Sequence, residues 1–180
     1  MRDEEYLELI LAALRRMERK YYTLRDKTGK VKYQERPIAY EFYHQLRQIL
    51  EEMTREKEIV LHGEFDKRFQ HYYPDCARKM PDFLIHVPGK PRNYAVIELK
   101  LASRSFKDIL KDIEKLKCFR EKLGYITPVL ILFGNKKNLE SRLNKIREIS
   151  ESKSIYILGY NLNDGSIVQL TSKPEQLRET

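Results

Sequence analysis

The chain has 180 residues and a hydrophobic content of 41%, which excludes a disordered chain and gives one domain enough material for a core. No apolar run approaches the ~20 residues that span a bilayer, so no membrane partner is expected. Against 27 acidic residues stand 35 basic ones, for a net charge of +8; such a domain is drawn to nucleic acid, although a host with a basic proteome produces the same balance.

The opening Met-Arg-Asp-Glu-Glu is acidic and lacks an uninterrupted apolar stretch, so it does not read as a signal peptide. Residues Asp3 to Leu24 read as a helix, with Tyr6, Leu7, Ile10, Ala13, Leu14, Met17 and Tyr21 at helical spacing. Its other face carries Arg15, Arg16, Arg19 and Lys20, a solvated face that can also touch phosphates. Asp26 to Lys32 is a polar loop. A second helix runs from Pro37 to about Lys57 on the stripe Ala39, Phe42, Leu46, Ile49, Leu50 and Met53. Glu41 lies roughly 130° off the centre of that stripe, at about 100° per residue, so the helix can offer it from its flank. Glu35, Glu51 and Glu52 compete with it.

Ile59-Val60-Leu61 marks a first strand within Glu58–Phe65. The connection from Asp66 to Lys79 mixes basic and aromatic residues, among them Arg68, Phe69, Tyr72, Tyr73, Arg78 and Lys79. Such a loop can stack on bases and hold phosphates, or cover the end of a sheet. His71 and Cys76 also lie there, without the further ligands that a metal site requires.

Two strands follow, Asp82–Val87 and Tyr94–Leu101, joined by the turn formers Pro88 to Asn93. If they pair as a hairpin centred on Lys90, Asp82 lies opposite Glu98, since each is eight positions from the centre. Directly opposed Cβ atoms are about 4.5–5.5 Å apart. Two carboxylates that close repel unless a proton or a cation sits between them. Lys100 shares their face two residues on, because side chains alternate with period two.

After the hairpin, Ser103 or Ser105 can cap a helix to about Leu123 with Phe106, Ile109, Leu110, Ile113, Leu116 and Leu123 inward, and Gly124 stops it. Lys107, Lys111, Lys115 and Arg120 lie mostly away from that stripe. Val129–Phe133 is a strand buried on both faces, typical of a parallel sheet. A helix from Asn138 to Glu151, a buried strand Ile155–Leu158, a turn at Asn163-Asp164-Gly165 and a strand Ile167–Leu170 complete the pattern, and the tail from Ser172 is polar. Cys76 and Cys118 are far apart and no C-x-x-C occurs, which leaves structural zinc and iron–sulfur clusters unsupported. They read as unpaired thiols, suited to a reducing cytoplasm. Without G-x-x-x-x-G-K, ATP use is unsupported as well.

Pro81-Asp82 and Glu98-Leu99-Lys100 together resemble the motif of the PD-(D/E)xK nuclease superfamily, the restriction-endonuclease-like fold. The resemblance runs loosely from about Glu35 to about Tyr160. It implies an α/β fold with a central mixed sheet flanked by helices, and a single nuclease-like domain over 1–180: a helical segment 1–34, a core 35–170 and a polar tail 171–180. It implies Mg²⁺, with Mn²⁺ as substitute, held by Asp82, Glu98 and the backbone carbonyl of Leu99, with Glu41 assisting, directly or through water. Lys100 orients the attacking water. Lys111 and Lys115, on the helix after the E-x-K strand, become candidate nucleic-acid contacts beside Arg68, Arg78 and Lys79. The expected activity is metal-dependent phosphodiester hydrolysis, with DNA cut internally. A homodimer would supply two sites for two strands. The rivals are a nucleic-acid-binding module on the same fold without catalysis, and a charged interaction scaffold.

Overall fold

A computed structural model of the chain describes residues 3–53, 58–64, 80–149 and 154–170. It is an α/β structure. Six strands form one mixed sheet in chain order: β3 (Val60–Gly63), β4 (Phe83–Val87), β5 (Arg92–Leu101), β6 (Thr127–Gly134), β7 (Tyr156–Asn161) and β8 (Ile167–Gln169). The pairs β3–β4, β4–β5 and β7–β8 are antiparallel, and β5–β6 and β6–β7 are parallel. Parallel neighbours need a crossover. Here these are α4 (Phe106–Leu123), between β5 and β6, and α5 (Lys136–Arg147), between β6 and β7.

Both faces of the sheet are covered, which is why β6 and β7 are buried throughout and read as continuous apolar runs. On one face Ile85, Ile97, Leu99, Val129, Ile131 and Leu158 pack with Tyr6, Ile10 and Leu14 of α1 (Asp3–Arg16) and with Phe42, Leu46 and Ile49 of α3 (Glu35–Met53). On the other, Leu84, Val96, Leu130, Leu132 and Ile157 pack with Ile109, Ile113 and Leu116 of α4 and with Leu139, Leu143 and Ile146 of α5. Among the described residues no helix is long and apolar enough to cross a membrane.

Local chemistry sets the ends of these elements. Ser105 caps α4 by accepting from the Asp108 amide at 3.2 Å. Gly124 ends it with φ +69°, a left-handed turn that glycine adopts without a Cβ penalty. Asn135 caps α5 in the same way from the Asn138 amide at 2.9 Å, so that helix starts two residues earlier than its apolar periodicity alone suggests.

Near the N-terminus the structure departs from the expected single helix over Asp3–Leu24. Helix α1 stops at Arg16, Glu18 is extended (φ −100°, ψ 119°), and a short α2 (Arg19–Tyr22) follows. The break has a cause in another element, because the amide of Glu18 donates to the Glu41 carboxylate on α3 at 2.9 Å. The expected polar loop is a two-stranded hairpin of β1 (Leu24–Arg25) and β2 (Val31–Lys32). Asp26 holds its turn by accepting from the amides of Thr28 and Lys30 at 2.9 and 3.1 Å. Cys118, expected as an unpaired thiol, is disulfide-bonded. The inference from two thiols to a reducing compartment therefore loses its premise.

Candidate active site at the open edge of strand β5

The pairs Phe83↔Ile97, Leu84↔Val96 and Ile85↔Ala95 are those of a hairpin centred on Lys90; a bulge between Ile85 and His86 then shifts the pairing by one, to His86↔Asn93 and Val87↔Arg92. The bulge lies at the turn end of the hairpin. At the other end the expected register is intact, and continuing it by one residue sets Asp82 opposite Glu98.

Strand β4 begins at Phe83, whereas β5 continues past Ile97 to Leu101. Among the described residues the edge of β5 beyond Phe83 therefore has no neighbouring strand, and side chains take its amides. Asp82 Oδ2 accepts from the Leu99 amide at 2.7 Å. Glu35 Oε1, from the first turn of α3, accepts from the Leu101 amide and from Arg104 Nε, both at 3.1 Å. In an extended chain the N–H and C=O of one residue leave along the same edge, so the carbonyl of Leu99 belongs to this edge as well.

On the face towards α4, four charged side chains form a chain of contacts. Lys115 Nζ stands 2.8 Å from Glu98 Oε1 and 3.5 Å from Asp112 Oδ1, and Lys100 Nζ stands 3.1 Å from Asp112 Oδ2. Lys115 also donates to the carbonyl of Met80 at 3.2 Å, which ties α4 to the residues just before Asp82. Despite these ammonium contacts, the buried Glu98 Oε1 and Asp112 Oδ2 accept no aligned hydrogen bond. The cluster of Asp82, Glu98 and Asp112 with Lys100 and Lys115 sets three carboxylates against two ammonium groups. One negative charge is left for a proton or a cation to balance.

The titration shifts follow from this crowding. Burial pushes the Glu98 carboxyl well above the ordinary range; the Asp82 charge adds to the push and Lys115 opposes it. Burial also raises Asp82, against the Leu99 amide and the two lysines. For Lys100 burial acts downward, but Asp112, Glu35 and Asp82 outweigh it, and the ammonium holds its proton more tightly than usual.

A cleft of about 740 Å³ opens in front of this edge, lined by Glu35, Arg36, Ala39, Tyr40 and Tyr43 of α3, by Gly63 and Glu64, and by Asp82, Phe83, Leu99 and Lys100. The structure thus brings together Asp82, Glu98, Lys100 and the Leu99 backbone, and adds Lys115 as a pair for Glu98 rather than an open surface cation. Lys111 is exposed and lies 3.7 Å from Asp108, outside the cluster. Arg68, Arg78 and Lys79 lie outside the described residues.

Glu41 is not at this edge. It is buried in α3, where Oε1 accepts from the Glu18 amide and from Gln45 Nε2, both at 2.9 Å. Glu35 faces the cleft instead. Six positions on one helix, at about 100° each, put Glu35 and Glu41 about 120° apart, on different sides of α3. Sequence reasoning passed over Asp112. The signal was present: Asp112 sits within the apolar stripe Ile109–Ile113–Leu116, and an acid at a core-facing position needs a partner.

Against known families, curated proteins and solved structures, the chain shows no significant match. Among the described residues, no three His, Cys, Asp or Glu side chains gather to hold a metal ion.

Proposed function

We propose that this chain is a metal-dependent nuclease with a restriction-endonuclease-like fold, and that it hydrolyses phosphodiester bonds within DNA. The observation that carries this reading is the hairpin register, which sets the half-buried carboxylate of Asp82 opposite the buried one of Glu98, with Lys100 beside them. The donor set fits a hard divalent cation. It offers carboxylate and carbonyl oxygen, an excess negative charge, and a buried Glu98 oxygen without an aligned donor. Magnesium retains several of its waters, so two protein carboxylates suffice for it.

Asp82, Glu98 and the Leu99 carbonyl would hold Mg²⁺ or Mn²⁺, which when bound polarises a phosphate oxygen and lowers the pKa of water. Lys100 keeps its ammonium charged under Asp112, orients the attacking water and stabilises charge developing on the phosphate. Glu35 fixes the end of β5 through the Leu101 amide and holds Arg104 at the rim. Asp112 positions Lys100 and Lys115 and touches no substrate. Lys115 balances Glu98 at 2.8 Å, a charge that a bound cation would share.

A second reading, a nucleic-acid-binding module without catalysis, is favoured by those lysine contacts, which already neutralise much of the carboxylate charge. Labelled DNA and RNA, single- and double-stranded, incubated with Mg²⁺, Mn²⁺ or EDTA, separate the two. The nuclease reading expects DNA cleavage with either metal, none in EDTA, and loss in Asp82→Ala. Binding with no cleavage of any substrate would leave the second reading in its place.

A further inference from the structure

We infer that the cleft takes an unpaired nucleotide whose base stacks on Tyr40, so that the substrate is single-stranded or locally unpaired nucleic acid. This rests on the nuclease reading above and adds the substrate class. Tyr40 is 66% exposed, yet it lines the same cleft as Asp82 and Lys100. The other aromatic rings of that wall are committed. Tyr43 packs on Phe83 with ring centroids 5.6 Å apart and its hydroxyl donates to the Leu61 carbonyl at 3.4 Å, while Phe42, buried behind the wall, packs on the same Phe83 ring at 5.9 Å. These contacts fix α3 against the start of β4, next to Asp82, and among the described residues leave Tyr40 as the exposed aromatic ring of that wall. Singly exposed apolar side chains are ordinary. Tyr21, Leu24 and Val168 are of that kind and do not line the cleft; Tyr40 differs in its place.

Arg36 stands one turn before Tyr40, on the same side of α3, and also lines the cleft. A ring face with a guanidinium beside it matches a nucleotide, the base on the ring and its phosphate on the cation. At about 740 Å³ the cleft falls within the ~300–1,000 Å³ that enclose a small ligand. In a duplex both faces of a base are occupied by its neighbours, so a ring standing in a cleft meets only a base that has left the stack.

The test is fluorescence anisotropy of a labelled single-stranded DNA oligonucleotide, an abasic oligonucleotide of equal length and the corresponding duplex, all in Ca²⁺. The full chain is compared with Tyr40→Ala, Tyr40→Phe and, as a control outside the cleft, Tyr21→Ala. Loss of one base–aromatic stack weakens binding about 5- to 100-fold. Tyr40→Ala is expected to show that loss on the single strand and little on the duplex or the abasic strand. Tyr40→Phe, which keeps the ring face, should restore affinity, and Tyr21→Ala should match the parent. Unchanged single-strand affinity in Tyr40→Ala, an equal loss on the abasic strand, or a Tyr40→Phe as weak as the alanine variant would each overturn the inference. If the parent protein cleaves DNA in Mg²⁺ while Tyr40→Ala binds normally, only the stacking inference fails. If it binds no nucleic acid at all, the nuclease reading fails with it.

Discussion

Glu41 and Glu35 lie on one helix and are predicted to respond differently to removal. The Glu41 carboxylate is buried and holds the amide that ends the first helical segment. Glu41→Ala leaves the Glu18 N–H without its acceptor, a loss of about 1–3 kcal/mol, read as a Tm drop of about 2–4 °C per kcal/mol in a chain of this size. Cleavage per folded molecule should stay unchanged, whereas Glu35→Ala should lower it; the reverse ranking would return Glu41 to the site. At Glu98 the prediction is a pH dependence. A carboxyl whose pKa is raised by folding binds its proton more tightly in the folded chain. Its contribution to stability is complete below the unfolded carboxylate range, near pH ~4.3, and is lost as pH rises through the folded value. In EDTA, stability should therefore fall as pH rises from that range towards neutral. Glu98→Gln should flatten the fall, and Mg²⁺ should offset it most at the higher pH, where the carboxylate is free to bind. Melting curves against pH check this, and a slope that Glu98→Gln leaves unaltered would place the titrating group elsewhere.

At the scale of the element, the strand edge matters more than the strands. The amides of Leu99 and Leu101 are predicted to exchange slowly although no strand among the described residues covers them, since Asp82 and Glu35 do. Asp82→Ala should speed exchange at Leu99, and Glu35→Ala at Leu101, with the β4–β5 ladder unaffected in both; hydrogen exchange followed by NMR resolves the two amides. If both variants loosen the whole hairpin, the carboxylates are part of the sheet's support rather than covers of its edge. The elements differ in how far the sequence foretells them. The hairpin register was legible because turn formers fix its centre and alternation fixes its faces. The crossover helices and buried parallel strands were legible from their apolar periods. The break at Glu18 was not, because it is set by Glu41 from another helix, and periodicity carries no information about that contact. Glu35 was weighed only as a competitor of Glu41 for the same reason, its partner amide being at the far end of β5. Asp112, by contrast, announced itself by interrupting an apolar stripe.

For the whole molecule, the charge of +8 predicts that nucleic-acid binding weakens steeply with salt as phosphate contacts release counterions. A flat salt response would favour the interaction scaffold. Within that field one lysine contributes little to affinity, and this is what makes Lys100 informative: its proposed role in the chemistry can be separated from its share in binding. The most direct measurement is single-turnover cleavage of labelled DNA at saturating Mg²⁺ by the parent chain and by Lys100→Ala, beside binding isotherms in Ca²⁺. With Asp82 and Glu98 intact, Lys100→Ala should bind DNA within a small factor of the parent and cleave it on the order of 10²–10³ more slowly, the loss typical of one electrostatic group acting on the transition state. Lys100→Arg should not rescue it, because a planar fork does not replace a compact ammonium at the same reach. Cleavage by Lys100→Ala at the rate of the parent would contradict the assignment of Glu98-Leu99-Lys100 as the catalytic edge.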